Sequence, residues 1–168
     1  KEISYLESVL ESIERCKTIA EIGEIREELS LAGYIKRPVG KGNRKQNISK
    51  PLEYVSKEGF RILVGKNNLQ NDYLTTRLAS KTDLWFHTKN IHGSHVIVMC
   101  EGKEVSDETV IFAATLAAKN SKAKNSSQVP VDYTPVKFVK KPNGAKAGMV
   151  IYTTNKTVFV DPEREVNL

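Results

Sequence analysis

One stretch limits the fold more than any other. From Asp107 to Lys122 the chain sets Val110, Ala113, Ala114, Leu116, Ala117 and Ala118 at helical spacing, with Ser106 or Asp107 able to cap the start. A face of such small side chains can lie close on a sheet. Short strands are available to build that sheet. Glu53–Ser56 and Phe60–Val64 flank Lys57-Glu58-Gly59, a hairpin signal with glycine where a positive φ is needed. Trp85–His87, His95–Met99, Val131–Val139, Met149–Thr153 and Val158–Val160 read as further strands, and Leu69, Tyr73, Leu74 and Leu78 as a short helix. Strands and helices mix without strict βαβ alternation. The expected class is α+β: a single domain with a mostly antiparallel sheet packed by one long helix.

A helical segment precedes that domain. Ile3, Leu6, Val9, Leu10, Ile13, Cys16 and Ala20 recur at intervals of three and four, the narrow seam of a coiled-coil end. Gly23 is expected to break this helix. Ile22, Ile25, Leu29 and Leu31 then predict a second one, stopped by Gly33 with Pro38 beyond. The organisation expected is a helical segment over 1–34, a basic linker over 35–51 and the α+β domain over 52–168.

Charge divides along the same boundary. The 168 residues carry a net +6, but residues 1–34 hold 4 basic and 8 acidic side chains, and residues 35–168 hold 22 and 12. The domain therefore carries +10 and the helical segment −4. Residues 36–50 contain 6 basic residues and no acid, the composition of a phosphate-contacting loop or a solvated spacer. No apolar run approaches the roughly 18 residues of a membrane-spanning helix, so membrane insertion is not expected. Two cysteines, Cys16 and Cys100, make no disulfide framework and fit a reducing cytoplasm. The chain opens without a Met, inside a helical pattern, and reads as part of a longer protein.

All three histidines and the single tryptophan fall between Asp83 and His95. His87, His92, His95 and Cys100 match no zinc-site spacing, so neither metal nor cofactor is expected. Ser94 and His95 are neighbours on a strand and point to opposite faces, which argues against a nucleophile–base pair; no catalytic residue is assigned. Trp85 and His87 share one strand face, with Asp83 at the same parity. A carboxylate there could raise an imidazole pKa and leave an aromatic–cationic surface beside free N–H groups at Gly93 and Ser94. Such a surface can stack a base or hold a phosphate. The bland alternative is a buried polar triad bracing the sheet. From Thr109 to Val160 there are 8 lysines against one acid, Asp132. Lys137, Lys140, Lys141 and Lys146 surround a Pro-Asn-Gly turn, and along a continuous strand Lys137 and Lys140 would face opposite ways. They form the second candidate RNA contact. The Gly65–Asp72 segment lacks nucleotide-loop spacing. Its Asn67, Asn68 and Asn71 amides beside Lys66 suit either turn capping or ribose and base edges.

Taken in order, Gly65-Lys66-Asn67-Asn68-x-Gln70-Asn71-Asp72, Asp83-Leu84-Trp85-Phe86-His87 and Gly93-Ser94-His95-Val96 resemble the NFACT-R domain. Ala113-Ala114-x-Leu116-Ala117-Ala118, Val131-Asp132-Tyr133-Thr134 and Lys140-Lys141-Pro142-x-Gly144-Ala145-x-x-Gly148 continue the resemblance. His92 departs from it, since the family usually has Pro before Gly-Ser-His-Val. The resemblance implies an RNA-binding module without an assigned catalytic residue, preceded by the end of a coiled coil. It further implies parent proteins that bind the large ribosomal subunit, its rRNA and tRNA. Such parents promote alanine tailing of stalled nascent chains in ribosome-associated quality control. For Gram-positive members it also implies binding of fibronectin or fibrinogen at the cell surface.

Overall fold

A computed structural model describes residues 1–37 and 49–163. Most of the basic segment at 36–50 thus lies outside the described residues. In chain order the elements are α1 (Glu2–Arg15), α2 (Ile19–Leu31), β1 (Leu52–Val55), β2 (Arg61–Val64), α3 (Asn68–Tyr73), β3 (Leu84–Thr88), β4 (Val96–Val98), α4 (Asp107–Lys119), β5 (Val129–Pro135), β6 (Val139–Lys140), β7 (Ile151–Tyr152) and β8 (Lys156–Val160). A π-helical turn, Leu74–Leu78, continues α3, and a 3-10 turn, Val136–Phe138, follows β5.

Six strands form one antiparallel sheet in the order β1-β2-β4-β3-β5-β8, and β6 pairs with β7 in a small second sheet. The period-two alternation of a strand sorts the central side chains between two faces. Ile62, Val64, Phe86, Val96, Val98, Val129 and Val131 face α4. Leu63, Trp85 and Ile97 face the other way, under Leu74, Val136 and Tyr152. The small-residue helix lies on the sheet as expected, with Ala113, Ala114, Ala117 and Ala118 all at 0% exposure. Its start is capped by Ser106, whose Oγ accepts from Thr109 N. The α+β class and antiparallel sheet match the sequence reading.

Three local expectations give way. Gly23 lies inside α2; the break falls at Cys16–Thr18, where Thr18 Oγ1 accepts from Glu21 N at 3.2 Å and starts the second helix. Gly33 does end α2, at φ 83°, with Gly33 N donating to Ser30 O and Tyr34 N to Leu29 O. The strand read as Val131–Val139 stops at Pro135, because Val136–Phe138 coils into a tight turn whose Val136 N donates to Asp83 O. That turn removes the strand parity expected for Lys137 and Lys140. Finally, α1 buries Tyr5, Ser8, Val9 and Ser12, leaving Ile3, Leu10 and Ile13 of the apolar seam exposed. The first helix docks through a mixed polar face.

The close helix–sheet approach predicts that Ala114→Leu overpacks the core by about 1–3 kcal/mol. Thermal unfolding of the variant should show a midpoint lower by roughly 2–10 °C; an unchanged midpoint would show room that the packing denies.

Candidate nucleic-acid interface

The Asn-rich segment is committed to internal contacts. Asn67 Oδ1 accepts from Gln70 N at 2.9 Å and caps α3, and its Nδ2 donates to Glu24 at 2.7 Å. Asn68 Nδ2 donates to Ser8 Oγ and to Glu28 Oε1, each at 2.9 Å. Asn71 Oδ1 accepts from His95 N at 3.1 Å. Lys66 Nζ lies 3.3 Å from Glu21, and Gln70 Nε2 also reaches Glu24. These side chains are engaged chiefly within the protein, though Asn68 and Asn71 also line the cleft beside His87. They turn the chain and hold the acidic helical arm against the domain.

Two glycines permit that fit. A Cβ on Gly65 would lie 2.0 Å from Asn71 Oδ1, and one on Gly148 would lie 2.7 Å from Asn68 Oδ1. Within the junction Glu28 is buried, accepts from Tyr5 at 2.8 Å and leaves its Oε2 without a partner among the described residues. Desolvation raises its pKa despite the hydrogen bonds from Asn68 and Tyr5. On the far side Arg15, paired with Glu11 at 2.6 Å, donates to Ser94 Oγ at 2.8 Å.

The histidine–tryptophan cluster is assembled, but not as a cationic surface. Trp85 and His87 stack at 5.7 Å with 12° between planes, as expected for two side chains on one strand face. His95 meets Trp85 edge-on at 5.3 Å, and Tyr152 lies 4.7 Å from Trp85. Trp85 is 0% exposed and His95 2%. Burial lowers the pKa of His87 to about 4 and that of His95 to about 3, so both rings are neutral at pH 7. Asp83 does not correct this. Its carboxylate accepts from Ser80 N at 2.8 Å and Cys100 N at 2.9 Å, joining a turn to the end of β4, away from the imidazoles. Nor are the Ser94 donors free: Ser94 N donates to Asn120 O and Ser94 Oγ to Gly65 O.

Beside the cluster opens a cleft of about 390 Å³, lined by Ser4 and Ser8 of α1, by Asn68 and Asn71, by the 90–93 loop and by Gly148–Val150 and Tyr152. Trp85, His87 and His95 border it. Sequence reasoning missed Tyr152 and Thr75, whose Oγ1 sits 2.7 Å from His95 Nδ1. Neither falls in the motif they serve; only their strand and helix spacing hinted at a shared face. Among the described residues no three His, Cys, Asp or Glu side chains converge as a metal site.

The lysines differ in their partners. Lys141 pairs with Asp72 at 2.7 Å, and Lys146 lies over the Tyr5 and Tyr34 rings at 5.1 and 4.9 Å. Lys137 and Lys140 are exposed and make no ion pair among the described residues, the Lys137 ammonium lying 5.1 Å over the Phe138 ring. Lys137 N donates to Lys81 O, and Leu74, Ala79, Val136 and Val139 pack together beneath. That bond sets exposed Lys81, not singled out from the sequence, beside exposed Lys137; exposed Lys140 follows three residues after Lys137, and exposed Arg77 precedes Lys81 by four. A separate groove of about 320 Å³ gathers Arg15, Lys17, Lys66, Lys119 and Lys124 against Glu14 and Glu21. What the arrangement can do is bind a polyanion through these cations, beside a neutral cleft.

Two outcomes follow. Lowered histidine pKa values mean that the unfolded chain takes up protons first, so stability is complete above about pH 6.5 and falls as pH drops toward the folded-state values. Unfolding free energy should decline by roughly 2 kcal/mol between pH 7 and pH 5 for buried His95, and by less for half-buried His87. By NMR the His87 and His95 ring signals should stay neutral to about pH 5; titration near 6.5 would contradict the burial. Glu28 has the opposite sign: its raised pKa favours the fold at low pH, and that contribution fades as pH rises. Glu28→Gln keeps the oxygen that Tyr5 and Asn68 donate to. The variant should be more stable than wild type at pH 7 in urea unfolding, with the difference shrinking toward pH 4.

Residues 50–153 match the family model of the NFACT protein RNA binding domain. The chain is 47% identical over 98% of its length to the Rqc2 homolog RqcH of Bacillus subtilis (strain 168), and 46% identical over 97% to that of Streptococcus suis (strain 05ZYH33). It spans 29% of the length of each of these relatives. A solved structure of the C-terminal of the fibronectin/fibrinogen-binding protein from Streptococcus suis superposes with a TM-score of 0.86 at 46% identity, covering 95% of this chain and 63% of that one. With well over half of its residues under that family model and the same architecture in a solved relative, the chain belongs to the NFACT-R family of RNA-binding domains.

Proposed function

We propose that this chain is the RNA-contacting module of a cytoplasmic ribosome-associated quality-control factor. It touches large-subunit rRNA or tRNA through phosphates while the parent protein directs alanine tailing of the stalled chain. The observation that carries the reading is the joining of Lys81 to Lys137 by a backbone hydrogen bond, with Lys140 and Arg77 close to them in the chain. All four cations are exposed and none has an acidic partner among the described residues. Solvated cations are most often neutralised by interspersed acids; these are not. Membership in an RNA-binding family and identity to the RqcH relatives support the same direction. The acidic arm contributes placement rather than RNA contact: its Glu21, Glu24 and Glu28 are spent on Lys66, Asn67, Asn68 and Gln70.

Each phosphate contact releases counterions, so log Kobs should fall linearly with log salt, by about 0.9 per contact on duplex and 0.7 on single strands. Binding of the 168-residue chain to tRNA and to large ribosomal subunits should show that slope. Combined Lys81→Glu, Lys137→Glu and Lys140→Glu substitutions should weaken it at least tenfold and reduce the slope by about 2–3. Lys141→Glu tests the fold as well, because Lys141 holds Asp72. Salt-insensitive binding, or none, would end the proposal. The solved relative's name carries a second reading. Saturable binding to fibronectin or fibrinogen at physiological salt that outlasts a charge-matched control protein would favour it.

A further inference from the structure

We infer that the cleft beside His87 is a pocket for one unpaired nucleobase of the bound RNA. The inference rests on the RNA reading above and deepens it, because the cations are blind to bases and this cleft is not.

The lining is the first argument. In a chain that is 27% charged, the cleft is bordered by no Lys, Arg, Asp or Glu; its polar groups are serine, asparagine, histidine and tyrosine side chains. The groove around Lys119 and Lys124 is lined quite differently, by five cations and two carboxylates. A phosphate would gain little in the neutral cleft. A neutral, planar ligand with hydrogen-bonding edges matches it.

The rings supply the second argument. His87 lies parallel to Trp85 and perpendicular to His95 at 5.5 Å, so the wall is a layered aromatic stack rather than a single ring. Burial holds both imidazoles neutral. His95 is 2% exposed with its Nδ1 taken by Thr75, so half-buried His87 is the ring that meets the cleft, and it does so without charge. A volume of about 390 Å³ admits a base with its sugar.

An unused donor is the third. Trp85 Nε1–H is buried and has no hydrogen-bond partner among the described residues. Indole donors usually find an acceptor when buried, and leaving one unmet costs about 1–3 kcal/mol. A pocket that receives a base carbonyl or ring nitrogen gives this donor something to meet.

Placement is the fourth. Exposed Lys89 and Lys122 border the loop on one side of the cleft, with Lys122 N donating to His92 O. Lys146, over Tyr5 and Tyr34, lies two residues before the Gly148–Val150 lining. Cations therefore adjoin two of the lining segments in the chain, beside one acid, Glu7, which lies 3.3 Å from His92.

The test uses the single indole as its reporter. The chain, labelled with nitrogen-15, is titrated with a short single-stranded RNA and with the same backbone lacking bases. The base-bearing RNA should shift the Trp85 indole resonance and bind on the order of tenfold more tightly than the abasic one. Ser4→Phe, on the exposed wall of α1, should abolish both differences and leave abasic binding unchanged. Equal binding of both RNAs with an unmoved indole signal would overturn the pocket and leave the phosphate-binding reading standing. Failure of both RNAs to bind would overturn both.

Discussion

The amide of Asn68 is the point on which the assembly turns. It donates to Ser8 on α1 and to Glu28 on α2, while its oxygen packs on Gly148, so one side chain joins four parts of the fold. The cost of losing it exceeds one hydrogen bond. Glu28 would retain a buried carboxylate with only Tyr5 as donor, and an unmatched buried charge is far more expensive than a missing neutral contact. Arm position, the wall that α1 gives the cleft and the course of the 145–150 segment all follow from that contact.

The sheet then keeps two tasks apart. Its α4 side is a hydrophobic core, built mainly from valines, isoleucine and alanines around buried Phe86. Its other side mixes aromatic rings with polar groups: Asp132 accepts from Tyr152 and Thr157 at 2.6 Å each, and Thr75 meets His95. Alternation along a strand is what allows this, since neighbouring residues such as Trp85 and Phe86 belong to different chemistries. Substitution on one side can alter recognition without emptying the core on the other.

Periodicity and turn chemistry made much of the fold legible. The alanine-faced helix, the hairpin around Gly59 and the stop at Gly33 all depend on local spacing, which a sequence displays. The docking face of α1 was hidden for the opposite reason. Ser8 is buried where the domain supplies Asn68, 60 residues away, and no local pattern records that partner. The site was legible as a group and misread in charge. Shared parity placed Trp85 and His87 together correctly, but strand parity says nothing of depth, and depth decides that the imidazoles are neutral. Asp83 shows the same limit: its parity was right for an imidazole partner, yet two backbone N–H groups claimed it first.

The junction between arm and domain has a further consequence. It is made largely of amides, hydroxyls, carboxylates and one stacked ammonium, with Tyr5 and Met149 as its main apolar parts. If it parted, most of what came into view would be groups that water can satisfy, whereas an oily seam would have to pay for exposed hydrocarbon. Such a joint can open and reseat repeatedly without inviting aggregation, which suits a detachable coupling better than a permanent weld.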